Sequence, residues 1–315
     1  MTTPTVLQPF RLKTFYASLR GIAILTPWIL HLLATDILLS ALLPLSYFFP
    51  TLVYNASSTL ASLVWAGIQT IFTTLNHAPI TTSGTRLPDH ESAIVISNHI
   101  SWTDFYLIQH LAQQSYMLSR CRWFAKAQLR HVPFLGWGLW AMGMPLITRN
   151  WTHDTAEMTR VFAGPSTHRW PIWLISYSEG TRYTSQKYLE TVRWCKANGK
   201  PAPHYTLHPR TRGFVATIQA LCKGSSVRAV YDLTIAYAKD DAFLVAPSMW
   251  TSLSEPRLDR AGWRFHVHAE RFGIEIFEGM QEAEIAAWLE DRWQAKARVL
   301  EGLKKELDEG RGWGG

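Results

Sequence analysis

His99 and Asp104 stand five residues apart in the stretch SNHISWTDF, and together they are residue types that can move a proton. A histidine works as a general base when a carboxylate on its other ring nitrogen fixes the tautomer and stabilises the imidazolium. Within one continuous helix, residues i and i+5 point to different sides of the axis. The two side chains therefore meet only if a helix begins between them. The same residues also fit a plainer role. Ser101-x-x-Asp104 has the form of a helix N-terminal cap, worth about 1 kcal/mol. The two roles are compatible. No G-x-S-x-G elbow supplies a nucleophile, so the chemistry indicated is direct transfer, with the base deprotonating a substrate hydroxyl.

Three more polar clusters follow apolar runs. GMPLITR ends in Thr148 and Arg149; SEGTR carries Glu179, Gly180, Thr181 and Arg182; HPRTRGF carries Arg210, Arg212 and Gly213. Forked guanidinium groups suit phosphate. One such arginine alone is better explained as a surface ion pair. Arg149 and Arg182, following separate strands near a His–Asp pair, point to a phosphate site.

Positioning these clusters requires strands that end together. From Glu91 onward short β-branched runs alternate with helical patterns, the texture of an α/β domain. Strands are expected over 93–97, 122–125, 144–148, 172–177, 228–237 and 264–271. Helices are expected over 102–114, 154–162, 185–198 and 213–222, with a solvated closing helix over 281–308 and a frayed tail after it. Function usually sits at strand ends.

Upstream the chain changes character. Asp36 is the only formal charge between Arg20 and Arg86. The run 22–43 is long enough to cross a bilayer, and Arg11, Lys13 and Arg20 before it favour a cytosolic N-terminus. The run 52–75 is amphipathic. Asp36 at mid-bilayer would cost roughly 2.5–3.5 kcal/mol, which a re-entrant hairpin would relieve; two buried core helices are the alternative. The expected organisation is a membrane-associated helical hairpin over 1–85, a catalytic domain over 86–309 and a flexible tail over 310–315.

Composition narrows the partners. Fifteen tryptophans favour a membrane interface. A formal charge of +7 favours anionic partners, yet no nucleic-acid-reading motif is present. Cys121, Cys195 and Cys222 have no C-x-x-C spacing, so neither zinc nor a disulfide framework is expected. His266 and His268 alternate on an expected strand without a third ligand.

In order along the chain, NHISWTD resembles the N-H-x-x-x-x-D block of the PlsC-like lysophospholipid acyltransferases, the 1-acylglycerol-3-phosphate acyltransferase family. KAQLRHVPFLGWGLWAMGMPLITR resembles the stretch ending in its G-x-x-F-I-x-R block, and YSEGTR its F-P-E-G-T-R block. HPRTRGF followed by AVYDLTIAY resembles the eukaryotic, lysocardiolipin-type branch. The resemblance implies a glycerolipid acyltransferase-type α/β domain, a central sheet flanked by helices behind the hairpin. It implies His99 as general base with Asp104 orienting it, and Asn98, Thr148, Arg149, Glu179, Gly180, Thr181, Arg182, Arg210 and Arg212 at the substrate. Acyl-CoA would acylate the sn-2 hydroxyl of lysophosphatidic acid at a phospholipid membrane, with no metal or bound cofactor. Alternatives are lysophosphatidylinositol, lysophosphatidylglycerol or lysocardiolipin as acceptor, or a non-catalytic lipid-binding protein on the same fold. The endoplasmic reticulum, or the lipid droplet, is the expected location, with the catalytic domain facing the cytosol. Ser178 departs from the third block's proline, Pro145-Leu146 alters the second, and Tyr231-Asp232 leaves the role of that strand open.

Overall fold

The computed structural model describes residues 9–132, 135–148 and 151–313. Helices α1 (Pro9–Leu42) and α2 (Pro50–Thr70) come first, followed by β1 (Ile80–Gly84), β2 (Ala93–Ser97), α3 (Asp104–Gln114), β3 (Cys121–Trp123) and β4 (Ala125–Lys126). Then come α4 (Leu135–Ala141), β5 (Leu146–Ile147), α5 (Trp151–Thr167), β6 (Trp173–Tyr177), α6 (Ser185–Ala197) and α7 (Thr211–Leu221). The chain closes with β7 (Ala229–Lys239), β8 (Ala242–Phe243), α8 (Met249–Ser254), β9 (Trp263–Gly273) and α9 (Glu282–Asp308).

The main sheet runs β1-β9-β7-β2-β6-β3, with β8 added antiparallel to β7, while β4 and β5 form a separate parallel pair. The central strand β2 is parallel to both β6 and β7, and β7 and β9 form a long antiparallel ladder. Strand side chains alternate between faces. Val95 packs with Phe72 of the helical turn after α2, Tyr106 of α3 and Phe265 of β9, while Ile94 and Ile96 pack with residues of α5, α7 and α9. Burial on both faces is why β2 begins with the unbroken apolar run 93–96. The expected α/β sheet flanked by helices is present, behind two apolar helices that pair as a hairpin through Trp28 Nε1, which donates to Val64 O at 3.2 Å.

Three readings need correction. The closing helix α9 is not simply solvated: Ile285, Leu289, Trp293, Lys296, Leu300 and Leu303 are buried along one face. The tail does not fray directly after it, because Trp313 is buried and donates its indole N–H to Leu303 O at 2.9 Å. An apolar stripe interrupted by a lysine reads as a solvated face until Lys296 finds a partner. The sheet also starts before residue 86, since β1 pairs in parallel with β9.

The hairpin lies along the α/β body and touches it at both ends. Near the chain start, the Arg20 guanidinium donates to Asn76 Oδ1 at 2.7 Å and to Leu253 O at 3.1 Å. Near the turn, Trp137 Nε1 donates to Ser40 Oγ at 2.5 Å, Tyr54 OH donates to Pro171 O at 2.6 Å, and the Tyr54 and Trp170 rings stack at 4.3 Å. Asp36 is buried against α4, where a Cβ on Gly138 would fall 2.0 Å from its Oδ1. Glycine there lets the two helices approach, as close packing of small residues does generally. The outward face of the hairpin remains apolar, with Phe15, Leu19, Leu30, Ile37, Phe48 and Leu52 exposed.

Candidate active site

β2 leaves the sheet through Asn98, whose side chain takes the place of the next ladder rung. Its Nδ2 donates to Ile235 O at 2.9 Å and its Oδ1 accepts from Ile235 N at 2.8 Å. Asn98 is buried and does not line the cavity described below. Its amide is used by β7, so the structure gives it the job of setting the turn rather than touching substrate.

Helix α3 begins at Asp104, with Thr103 in the capping position and no side-chain cap from Thr103. The helix thus starts between His99 and Asp104, as their meeting requires. His99 Nδ1 donates to Asp104 Oδ2 at 2.7 Å. Ile100 N donates to the same oxygen at 2.8 Å, and Ser101 N donates to Oδ1 at 3.0 Å. Asp104 therefore orders the backbone turn and orients the imidazole at once. Tyr237 OH, from β7, supplies a fourth donor to Oδ1 at 2.8 Å. Burial, reinforced by the Asp104 charge, holds the Tyr237 phenol well above its ordinary value and so keeps it a donor. Four donors on two oxygens match the full capacity of a carboxylate. With Nδ1 carrying its proton, the neutral ring keeps its lone pair on Nε2. The ring also stacks on Tyr177 at 4.1 Å.

His99 lines a cavity of about 1400 Å³ together with Gly180, Thr181, Arg182, Arg210 and Arg212. The loop after β6 builds one wall. Gly180 has φ +68°, and a Cβ there would lie 3.0 Å from Arg210 Cδ; glycine satisfies both constraints. Tyr183 N donates to His99 O at 2.7 Å and Arg210 N to Ser178 O at 2.7 Å, tying the loop to the turn at His99 and to the segment before α7. Lys187 Nζ donates to Thr181 Oγ1 at 2.5 Å. The guanidinium groups of Arg182 and Arg212 form no hydrogen bond or ion pair with another described residue, which leaves them available to an anion. Lys126 adds positive charge to the walls, while Lys200 is paired there with Glu290.

Glu179 is at the base of this loop. It is 2% exposed, and its Oε1 accepts from Trp293 Nε1 at 3.2 Å. Burial pushes its carboxyl up to about 8, against the opposing pull of the indole donor and of the Leu207 and His99 amides. Thr148 is off the cavity wall. Its backbone N–H and its hydroxyl both donate to Asp154 Oδ1, at 2.6 and 2.8 Å, which joins the end of β5 to the first turn of α5. Arg149 lies outside the described residues. No cluster of three or more metal-ligating side chains occurs among the described residues. His266 is bonded at both ring nitrogens to the hydroxyls of Thr81 and Ser83, each at 2.8 Å.

Sequence reasoning missed Tyr237, Tyr177 and Trp293. Sheet order brings Tyr177 and Tyr237 to the turn at His99, and the packing of α9 brings Trp293 to Glu179.

The acyltransferase family model matches residues 79–238, just over half of the chain, from β1 through all but the last residue of β7. Among curated proteins, a probable 1-acyl-sn-glycerol-3-phosphate acyltransferase 5 of Arabidopsis thaliana is 27% identical over 73% of this chain and 58% of its own length. Lysocardiolipin acyltransferase 1 of Danio rerio is 29% identical over 67% of this chain and 52% of its own length. The chain thus spans little more than half the length of the curated relatives it matches. The crystal structure of the 1-acyl-sn-glycerophosphate (LPA) acyltransferase PlsC from Thermotoga maritima aligns with a TM-score of 0.49 at 17% identity, over 88% of this chain and 98% of that one. The family match contains the whole His99–Asp104 turn and the loop from Glu179 to Arg182, and by it this chain belongs to the acyltransferase family.

Proposed function

We propose that the protein transfers an acyl group from acyl-CoA to the sn-2 hydroxyl of a lysophospholipid, with lysophosphatidic acid as acceptor and phosphatidic acid as product. The observation that carries this reading is the His99 imidazole, locked at Nδ1 by Asp104 and opening into the same cavity as Arg182, Arg210 and Arg212. His99 Nε2 takes the hydroxyl proton as the oxygen attacks the thioester carbonyl. The C–S bond breaks, and CoA leaves as its thiol with the proton returned from the imidazolium. Base catalysis of this kind contributes about 10²–10⁴ in rate, and holding both substrates in one cavity adds the gain of proximity. The arginines bind the acceptor phosphate, with Arg149 assigned to them by its place in the second block.

The two N-terminal helices are long and apolar enough to cross a membrane. Their contacts with the body at both ends favour a hairpin lying in one leaflet, its apolar outer face in lipid. A crossing hairpin would carry Trp137 and Pro171 of the body into hydrocarbon. Three unpaired cysteines and a cytosolic acyl donor support a catalytic domain on the cytosolic face of the endoplasmic reticulum.

The test is an acyl-CoA assay with purified protein in vesicles, over lysophosphatidic acid, lysophosphatidylinositol, lysophosphatidylglycerol and lysocardiolipin. Preference for the first is expected. Preference for another would keep the chemistry and change the acceptor; no transfer to any would leave a non-catalytic lipid binder. For topology, protease should reach residues 282–308 in sealed microsomes, and Asn150-x-Thr152 should carry no glycan.

A further inference from the structure

Helix α9 makes a contact with the site that no local sequence pattern marks. Trp293 is fully buried, and its indole N–H is given to Glu179 Oε1. Three residues on, Lys296 is buried too, with its ammonium 5.0 Å from the centre of the Trp293 ring. That ammonium pairs with Asp232 of β7 and donates to Leu233 O at 2.6 Å. A buried ion pair persists only where its geometry is fixed and its remaining valences are met. Here it is fixed by β7, the strand whose Ile235 holds Asn98 and whose Tyr237 holds Asp104. A continuous connection therefore runs from β7 through Lys296 and Trp293 to the carboxyl of Glu179.

No other side chain among the described residues donates to Glu179. Its Oε2 is buried and has no hydrogen-bond partner among the described residues. The backbone amides of His99 and Leu207 favour the charged form from the loop side. The single side-chain donor to Glu179 among the described residues is thus the indole, more than a hundred residues downstream.

We propose that Trp293 is a positioning residue for the reaction, acting through Glu179. The indole N–H fixes the carboxyl against the turn that carries His99, and the Lys296–Asp232 pair fixes the indole. This rests on the acyl-transfer reading of the site. A Trp293 that merely filled the core would act on stability and leave the chemistry alone.

The test uses the full chain in lipid vesicles. Trp293→Phe removes the N–H and keeps an aromatic ring under the Lys296 ammonium. It should lower kcat about 10-fold, the size of a lost hydrogen bond to a carboxyl, with both KM values within about twofold. The pH profile of kcat should move upward on its alkaline side, because a donor that favours the ionised carboxyl is gone. In a Glu179→Ala background the same change should alter kcat by less than about twofold, since the groups act as a unit. A second variant, Asp232→Leu with Lys296→Met, replaces the pair by apolar groups and leaves the N–H in place. It too should lower kcat only while Glu179 is present. Multiplicative losses in the Glu179→Ala background, or an unmoved pH profile with kcat intact, would overturn the assignment. An inactive wild-type protein with every lysolipid would instead overturn the acyl-transfer reading, so the two failures are separable.

Discussion

Tyr237 donates a 2.8 Å hydrogen bond to Asp104 across 133 residues of chain. It is the fourth donor on a carboxylate whose other three come from His99, Ile100 and Ser101. The helix start at Asp104 and the strand β7 are thereby locked into one unit, and the imidazole takes its orientation from both.

Removing that donor tests how much orientation matters. Hydrogen bonds to charged groups contribute about 1.5–3 kcal/mol, and only part of this is expressed at the imidazole. Tyr237→Phe is expected to lower kcat about 10-fold at saturating substrates, with the fold retained by circular dichroism. An unchanged kcat would reduce Tyr237 to a packing residue.

Asp104→Asn separates the cap from the orienting carboxylate. Asparagine caps helices well. Here all four neighbours donate, so an amide must turn its NH₂ toward at least one of them, and it carries no charge to stabilise an imidazolium. A loss of about 10²-fold or more in kcat is expected, close to that of His99→Ala. Near-full activity would leave Asp104 with capping alone.

The arginines should act on the acceptor. Arg182→Ala is expected to raise the acceptor KM about 10-fold or more and to leave the acyl-CoA KM within about twofold, with lysine rescuing only in part because it lacks the planar fork. Arg149→Ala should behave alike. A rise confined to the acyl-CoA KM would move the phosphate site to the donor.

Glu179 makes stability depend on pH. Its carboxyl is raised to about 8 in the folded chain, with burial as the main cause. Between the ordinary carboxylate range and pH 8 the unfolded chain releases this proton and the folded chain keeps it, so this group's contribution falls as pH rises. Glu179→Gln removes the dependence. Its unfolding midpoint relative to the parent should climb from about pH 5 to pH 8 and level off above. A gap that narrowed with pH would show that the carboxyl is ionised in the fold.

Much of the frame was legible because it is local. β2, β6 and β7 announce themselves as apolar β-branched runs, and the polar residues at their ends mark the cavity. The His99–Asp104 pairing followed from asking where a helix would have to begin. What stayed hidden depends on sheet order. β7 lies beside β2, so Tyr237 and Ile235 reach the turn, yet nothing near either residue states that neighbour. Lys296 misled for a related reason: a lysine marks solvent unless an aspartate on another element meets it. Asn98 was placed at the substrate by its position in a block, whereas both ends of its amide serve the backbone of Ile235. Asp36 counted against a simple membrane span, and its burial against Gly138 shows the helix using the protein, not lipid, on that side.

The lock on Nδ1 leaves His99 with a single working nitrogen, and for an acyl transfer that sets the order of events. The proton taken from the hydroxyl has no second exit through the ring. It must leave by the nitrogen it entered, and the departing thiolate is the group that needs it. The motif for a protein nucleophile that could hold the acyl group in between is absent from the sequence, so on the acyl-transfer reading donor and acceptor are expected to share the cavity before either bond changes. The expected kinetic form is sequential through a ternary complex, read as intersecting lines in double-reciprocal plots and no burst of free CoA in the absence of acceptor.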